Sequence, residues 1–121
     1  MENKKTIAVV DDQEPIREFV KEFLTFKGYD VETYENGLLS HEAIESEEIN
    51  PSLILTDYDY KIPEINGLGF LEKYAQKFPC IMMTGDISGV KQKALDLGAK
   101  IVLEKPFNLE ELVDVVNKYS K

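Results

Sequence analysis

The sequence predicts an α/β fold, an open sheet of parallel strands between two layers of helices, and three observations lead to it. Short apolar runs alternate with helical patterns five times along the chain. Four of the runs, at residues 7–10, 53–56, 81–83 and 101–104, are nearly continuous in apolar residues, the pattern of strands buried on both faces. At the carboxyl ends of these four stand polar residues: Asp11 and Asp12, Asp57, Thr84, and Lys105.

The strand at 7–10 leads into a helix whose Ile16, Phe19, Val20, Phe23 and Leu24 recur on one face. Pro15 suits its first turn and Gly28 its stop, and Phe19, Phe23 and Leu24 are expected in the core. Residues 31–34 alternate as a second strand, Asn36-Gly37 makes a turn, and a weaker helix covers 38–48, ending before Asn50-Pro51. The strand at 53–56 opens a polar loop, 58–66, followed by a helix with Leu68, Leu71, Tyr74, Ala75 and Phe78 inward. After the strand at 81–83 a helix spans 88–97 with Gly98 as its terminator. The last strand, 101–104, precedes a helix over 108–119, capped by Asn108, with Leu109, Leu112, Val113 and Val116 on one face. Such alternation implies right-handed crossovers between parallel strands.

The chain reads as one domain over residues 1–121, with no output domain attached, long enough to bury roughly two thirds of its unfolded surface. Its 43% hydrophobic content fits a soluble globular protein. A net charge of −9 argues against nucleic acid as a partner. Cys80, the one cysteine, has no internal disulfide partner and opens an apolar run, so a buried thiol is expected. The first apolar stretch ends at Asp11, too short for a secretory leader or a membrane span, and the expected location is cytoplasmic, without a membrane partner. His41, the one histidine, falls on a polar helix and is expected in solvent.

Open α/β sheets bind ligands beyond the carboxyl ends of their strands, so Asp11, Asp12, Asp57, Thr84 and Lys105 should gather at one rim. Two carboxylates about 4 Å apart repel by about 4 kcal/mol at an effective dielectric near 20. Three are tolerated when protonated or sharing a cation. Oxygen donors suit a hard divalent ion, and Mg²⁺ typically takes one or two carboxylates with waters and phosphate oxygens. Singly, Asp12 reads as a helix cap and Asp57 as a turn residue; their joint placement reads as a site.

In this order and spacing, Asp11-Asp12, Asp57, Thr84 and Lys105-Pro106-Phe107 resemble the receiver domain of bacterial two-component response regulators, over the whole chain. The likeness is greatest to the stand-alone, single-domain type of chemotaxis and sporulation phosphorelays. It implies a flavodoxin-like, doubly wound five-stranded sheet in order 2-1-3-4-5 with five helices. It implies that Asp57 accepts a phosphoryl group from a histidine kinase or a histidine phosphotransfer protein, with Mg²⁺ as cofactor. Asp12 and Asp57 would ligate the metal, Asp11 would act through water, and Asp59 would offer its backbone carbonyl. Thr84 would donate its hydroxyl to a phosphoryl oxygen, Lys105 would add positive charge, and the Lys105–Pro106 bond would be cis. Such a protein catalyses only its own phosphorylation and dephosphorylation. It signals by phosphorylation-dependent binding to a downstream protein, as a monomer or weak homodimer.

Two features depart from that family's pattern. Its members usually carry proline four, and glycine eight, residues after the phosphorylated aspartate; Pro63 and Gly67 stand at those distances from Asp59, not from Asp57. The repeated Asp-Tyr reads as a two-residue insertion that leaves both aspartates open on this count. Strand position favours Asp57, because an acceptor at Asp59 would put Asp57 one pleat deeper in a buried strand. The second departure is Val102, where the family commonly has a tyrosine or phenylalanine that reorients with the threonine; without a ring, switching is expected to run through residues 85–89. Asp59 and Asp86 read as solvated loop acids or as acids that alter the lifetime of the phosphorylated form, and Tyr58 and Tyr60 read as partner contacts or as packing. Two other function classes fit parts of the pattern: a haloacid-dehalogenase-type phosphatase using Asp57-Tyr58-Asp59, and a receiver-like binding module indifferent to phosphorylation.

Overall fold

The computed structural model describes residues 4–58 and 65–120. Its elements are β1 (Thr6–Val10), α1 (Glu14–Phe26), β2 (Asp30–Tyr34), α2 (Gly37–Glu45), β3 (Leu53–Asp57), α3 (Gly67–Tyr74), β4 (Cys80–Thr84), α4 (Ile87–Asp96), β5 (Ile101–Glu104) and α5 (Leu109–Tyr119). All the strand pairings are parallel, and the order is β2-β1-β3-β4-β5, as the resemblance implies. The register pairs Val10 with Thr56, Asp57 with Met83, and Thr84 with Glu104, so the carboxyl ends of the central strands finish nearly level. Among the described residues no helix is long and apolar enough to cross a membrane.

Alternate residues of each strand enter two separate cores. Ile7, Val9, Leu53, Leu55, Ile81 and Met83 pack with Val20 and Leu24 of α1 and with Leu112 and Val116 of α5. Ala8, Val10, Ile54, Cys80, Met82 and Val102 pack with α2, α3 and α4. This two-sided burial is why the strands read as continuous apolar runs. Burial also pushes the Cys80 thiol up to about 12, so it packs as an apolar group.

Asn36, Asn66, Asp86 and Asn108 cap α2, α3, α4 and α5, each accepting a backbone N–H three residues on, and Glu111 completes a capping box with Asn108. At the other ends, α1 and α4 stop at Gly28 and Gly98, both at positive φ. The helix α2 ends three residues earlier than its pattern suggests. The Glu48 N–H closes back on the Ala43 carbonyl at 3.0 Å, and Glu47 takes φ 62°. A left-handed residue with a Cβ costs about 1–2 kcal/mol, which glycine largely escapes. Glu47→Gly is therefore expected to raise stability by about 1 kcal/mol in urea unfolding; a loss of stability would mean that the glutamate side chain holds the turn.

Three other expectations are corrected. Phe19 is 51% exposed rather than core, because Val20 and Leu24 take the sheet-facing line of α1 and leave it at the margin of the stripe. Phe70, not Leu68, joins Leu71 and Tyr74 in the core of α3, which stops at Tyr74 with Phe78 packed beyond its end. Gly67 sets this rotation: a Cβ there would lie 2.4 Å from the Asp57 carbonyl oxygen, and its N–H donates to the Tyr58 carbonyl at 2.8 Å. His41 is only half exposed; its Nδ1 meets the hydroxyl of buried Tyr74, which also donates to Glu45 Oε2 at 2.9 Å, tying α2 to α3.

Candidate functional site

At the carboxyl rim of the sheet, Asp11 directly follows β1 and is fully buried. One carboxylate oxygen accepts the Gln13 N–H at 2.9 Å; the other accepts the Lys105 ammonium at 2.7 Å. Its carbonyl accepts Arg17 Nη1 at 2.8 Å, and its N–H donates to the Tyr34 carbonyl at 3.1 Å. Asp12 is half-buried and does not cap α1: the cap position is Gln13, which makes no side-chain cap bond.

Asp57 closes β3 and is 8% exposed. Its Oδ1 accepts the Tyr58 N–H at 2.9 Å and lies 3.3 Å from Lys105 Nζ. Carboxylate oxygens of Asp11, Asp12 and Asp57 all lie within 4.8 Å of one another. Lys105 comes one residue after β5; its backbone N–H donates to the Thr84 carbonyl at 2.8 Å, joining the ends of β4 and β5. Thr84 closes β4, almost wholly buried, and its Oγ1 accepts the Asp86 N–H at 3.0 Å. The Lys105–Pro106 bond is cis.

The structure thus brings Asp11, Asp12, Asp57 and Lys105 together, with Thr84 on the adjoining strand end. Asp59, expected to contribute a carbonyl, lies outside the described residues, as do Tyr60 and Pro63. Tyr58 is half-buried against the α2–α4 core, which is the packing alternative of its two readings. Arg17 escaped the reading of the sequence. The signal available was a lone arginine in the helix after the acidic pair, but an i, i+6 separation fits no local pairing rule.

Burial first, and then the Asp11 carboxylate, push the Asp57 carboxyl up to about 6, while Lys105 and the Tyr58 N–H pull it down. Among the described residues one ammonium faces three carboxylates, which leaves two negative charges uncompensated. An all-oxygen donor set with that deficit fits a hard divalent cation. Beside the site, Ile16, Phe19 and Val20 of α1 face Pro106 and Phe107 across a groove of about 350 Å³.

Comparison with known proteins points the same way. The family model for the response regulator receiver domain matches residues 7–117. Sporulation initiation phosphotransferase F of Bacillus subtilis is 34% identical over 124 residues, covering 98% of this chain and 95% of that protein. The transcriptional regulatory protein CrdR of Helicobacter pylori is 31% identical over 121 residues; the match covers 96% of this chain but 55% of CrdR, so the chain spans about half of that relative. The chemotaxis protein CheY4 of Vibrio cholerae overlays with a TM-score of 0.83 at 27% identity, covering 97% of this chain and 99% of that one.

Proposed function

This chain belongs to the response regulator receiver family of two-component signalling, and on that premise we propose that Asp57 accepts a phosphoryl group from the phosphohistidine of a kinase or phosphotransfer protein. The observation that carries the reading is the Lys105 ammonium, 2.7 Å from Asp11 and 3.3 Å from Asp57, in a cluster that among the described residues is short of positive charge. In the step, an Asp57 carboxylate oxygen attacks phosphorus, the P–N bond breaks, and the imidazole leaves with the bonding pair, giving an aspartyl phosphate. Asp11, Asp12, Asp57 and the Asp59 carbonyl would hold Mg²⁺, which supplies charge neutralisation for the transferred oxygens.

The chain's own residues do the rest. Lys105 offsets charge on Asp57 and on the phosphoryl group. Arg17 and the Gln13 N–H grip Asp11 from its carbonyl and carboxylate sides and fix the loop that presents Asp12. Thr84, which accepts from Asp86, keeps its hydroxyl proton to donate. The half-exposed Phe19 and the Pro106–Phe107 wall give a donor an apolar foothold beside the acceptor. We assign the protein to the cytoplasm and to signalling through phosphorylation-dependent protein contacts.

The test is incubation with acetyl phosphate followed by intact mass measurement. One phosphoryl group is expected with Mg²⁺ and none after chelation; no gain in mass under either condition overturns the proposal. Output is expected through α4. When Thr84 turns toward a phosphoryl oxygen, the Asp86 N–H bond is disturbed, and Asp86 is also the residue that caps α4 through the Gly89 N–H at 3.2 Å. Amide resonances of residues 85–89 should therefore shift when beryllofluoride and Mg²⁺ are added. Unmoved amides there, with partner affinity indifferent to both reagents, would point instead to a module independent of phosphorylation.

A further inference from the structure

Nine of the chain's 23 acidic residues fall between Gly28 and Tyr60, where no lysine or arginine stands; the other 14 equal the chain's 14 lysines and arginines. The net charge of −9 therefore belongs to the stretch that forms β2, α2 and β3. Apart from Asp57, Asp59 and the Tyr74-bound Glu45, the acids are Asp30, Glu32, Glu35, Glu42, Glu47 and Glu48. All six are exposed, and among the described residues none is in an ion pair.

The geometry adds a place for a ligand. Among the described residues β2 ends the sheet and pairs with β1 alone. A cavity of about 480 Å³ is lined by Lys21 and Thr25 of α1, by β2 itself, and by Ile49 and Asn50 beyond α2. Thr6 at the start of β1 also lines it, and because α1 and α2 cover opposite faces of the sheet, the cavity reaches residues on both faces, beside β2 and around its amino end. A second cavity, of about 490 Å³, shares Tyr34 and Glu48 with the first and continues to Leu39 and Ala43 on α2. Leu39, which lines it, is 43% exposed.

We propose that this trough takes an extended, lysine- or arginine-rich segment of a partner protein, laid along β2 as an added strand. An edge strand carries unpaired N–H and C=O groups that such a segment can satisfy. Acidic side chains on an edge repel acidic strands and lose hydration without compensation against neutral ones; a basic strand offsets both costs, so the edge selects by charge. A second copy of this chain is a poor occupant, since it would bring the same acidic edge, and nucleic acid is repelled. Apolar side chains of the segment would rest on Leu39 and Ala43. The inference does not depend on the phosphoacceptor reading, and acetyl phosphate labelling separates the two.

The test uses a fluorescein-labelled peptide alternating lysine with valine, its glutamate-for-lysine counterpart, and spermine as a cation without a peptide backbone. All are added with saturating Mg²⁺, so that Asp11, Asp12 and Asp57 do not compete. The lysine peptide is expected to shift amides of Asp30–Tyr34 and Leu39, to slow hydrogen exchange in β2, and to bind about tenfold more weakly to the Glu32→Gln, Glu48→Gln double variant. Leu39→Ser, which leaves the charge intact, should also weaken it, and the glutamate peptide should not bind. Spermine reproducing the same shifts, perturbation centred on Asp57 or spread evenly over the surface, or undiminished binding by both variants would overturn the proposal.

Discussion

Asp57→Asn is expected to reduce labelling by acetyl phosphate to background, while Asp59→Asn leaves it in place. An amide nitrogen or carbonyl is a poor nucleophile toward phosphorus, yet asparagine keeps the shape of the side chain and its bond from the Tyr58 N–H. Loss of labelling would therefore report chemistry rather than collapse of the site. The prediction rests on placement: Asp57 is the last residue of β3, within reach of Lys105 and of both upstream acids. Labelling that survives in Asp57→Asn and disappears in Asp59→Asn would reverse the assignment.

The same substitution should stabilise the fold. The Asp57 carboxyl is pushed from 3.8 to about 6 by burial and by Asp11. At about 1.4 kcal/mol per pH unit, this amounts to roughly 3 kcal/mol. The sign follows from proton binding. Below pH 3.8 both folded and unfolded states hold the proton, and Asp57 carries no penalty. Between about 4 and 6 the unfolded chain has released it and the folded chain has not, so stability falls as pH rises; above about 6 the loss is complete. Urea unfolding in chelator should show Asp57→Asn about 3 kcal/mol more stable than the parent near pH 7, with the difference vanishing toward pH 4. Mg²⁺ should narrow the gap at pH 7. A difference independent of pH would mean that the carboxylate is not penalised where it sits.

Much of the architecture was legible in the sequence because a sheet buried on both faces leaves unbroken apolar runs, and Asn108 announced the start of α5, whereas the caps at Asn36, Asn66 and Asp86 went unread. The site was legible for a related reason. Parallel strands all discharge at one rim, so residues distant in sequence, such as Asp11 and Lys105, must meet there. What escaped was decided by contacts that periodicity does not encode. The rotation of α3 depends on Gly67 lying against the backbone after Asp57, and this brings in Phe70. The end of α2 depends on Glu47 accepting a left-handed backbone, which no glycine announced. Phe19 belongs to a clean helical stripe but sits where the sheet no longer reaches. Arg17 binds a carbonyl rather than a side chain, so charge pairing gave no hint of it.

The join between Gly67 and the Asp57–Tyr58 backbone has a consequence for how such a protein can diversify. Both ends of the intervening segment are clamped together at its base, so its length is uncoupled from the position of the Asp57 carboxylate. Lengthening a closed segment of eight residues to ten costs only about 0.2 kcal/mol in closure entropy. Spacer residues there are therefore tolerated at little cost in stability, and a motif count can slip by two without moving the end of β3.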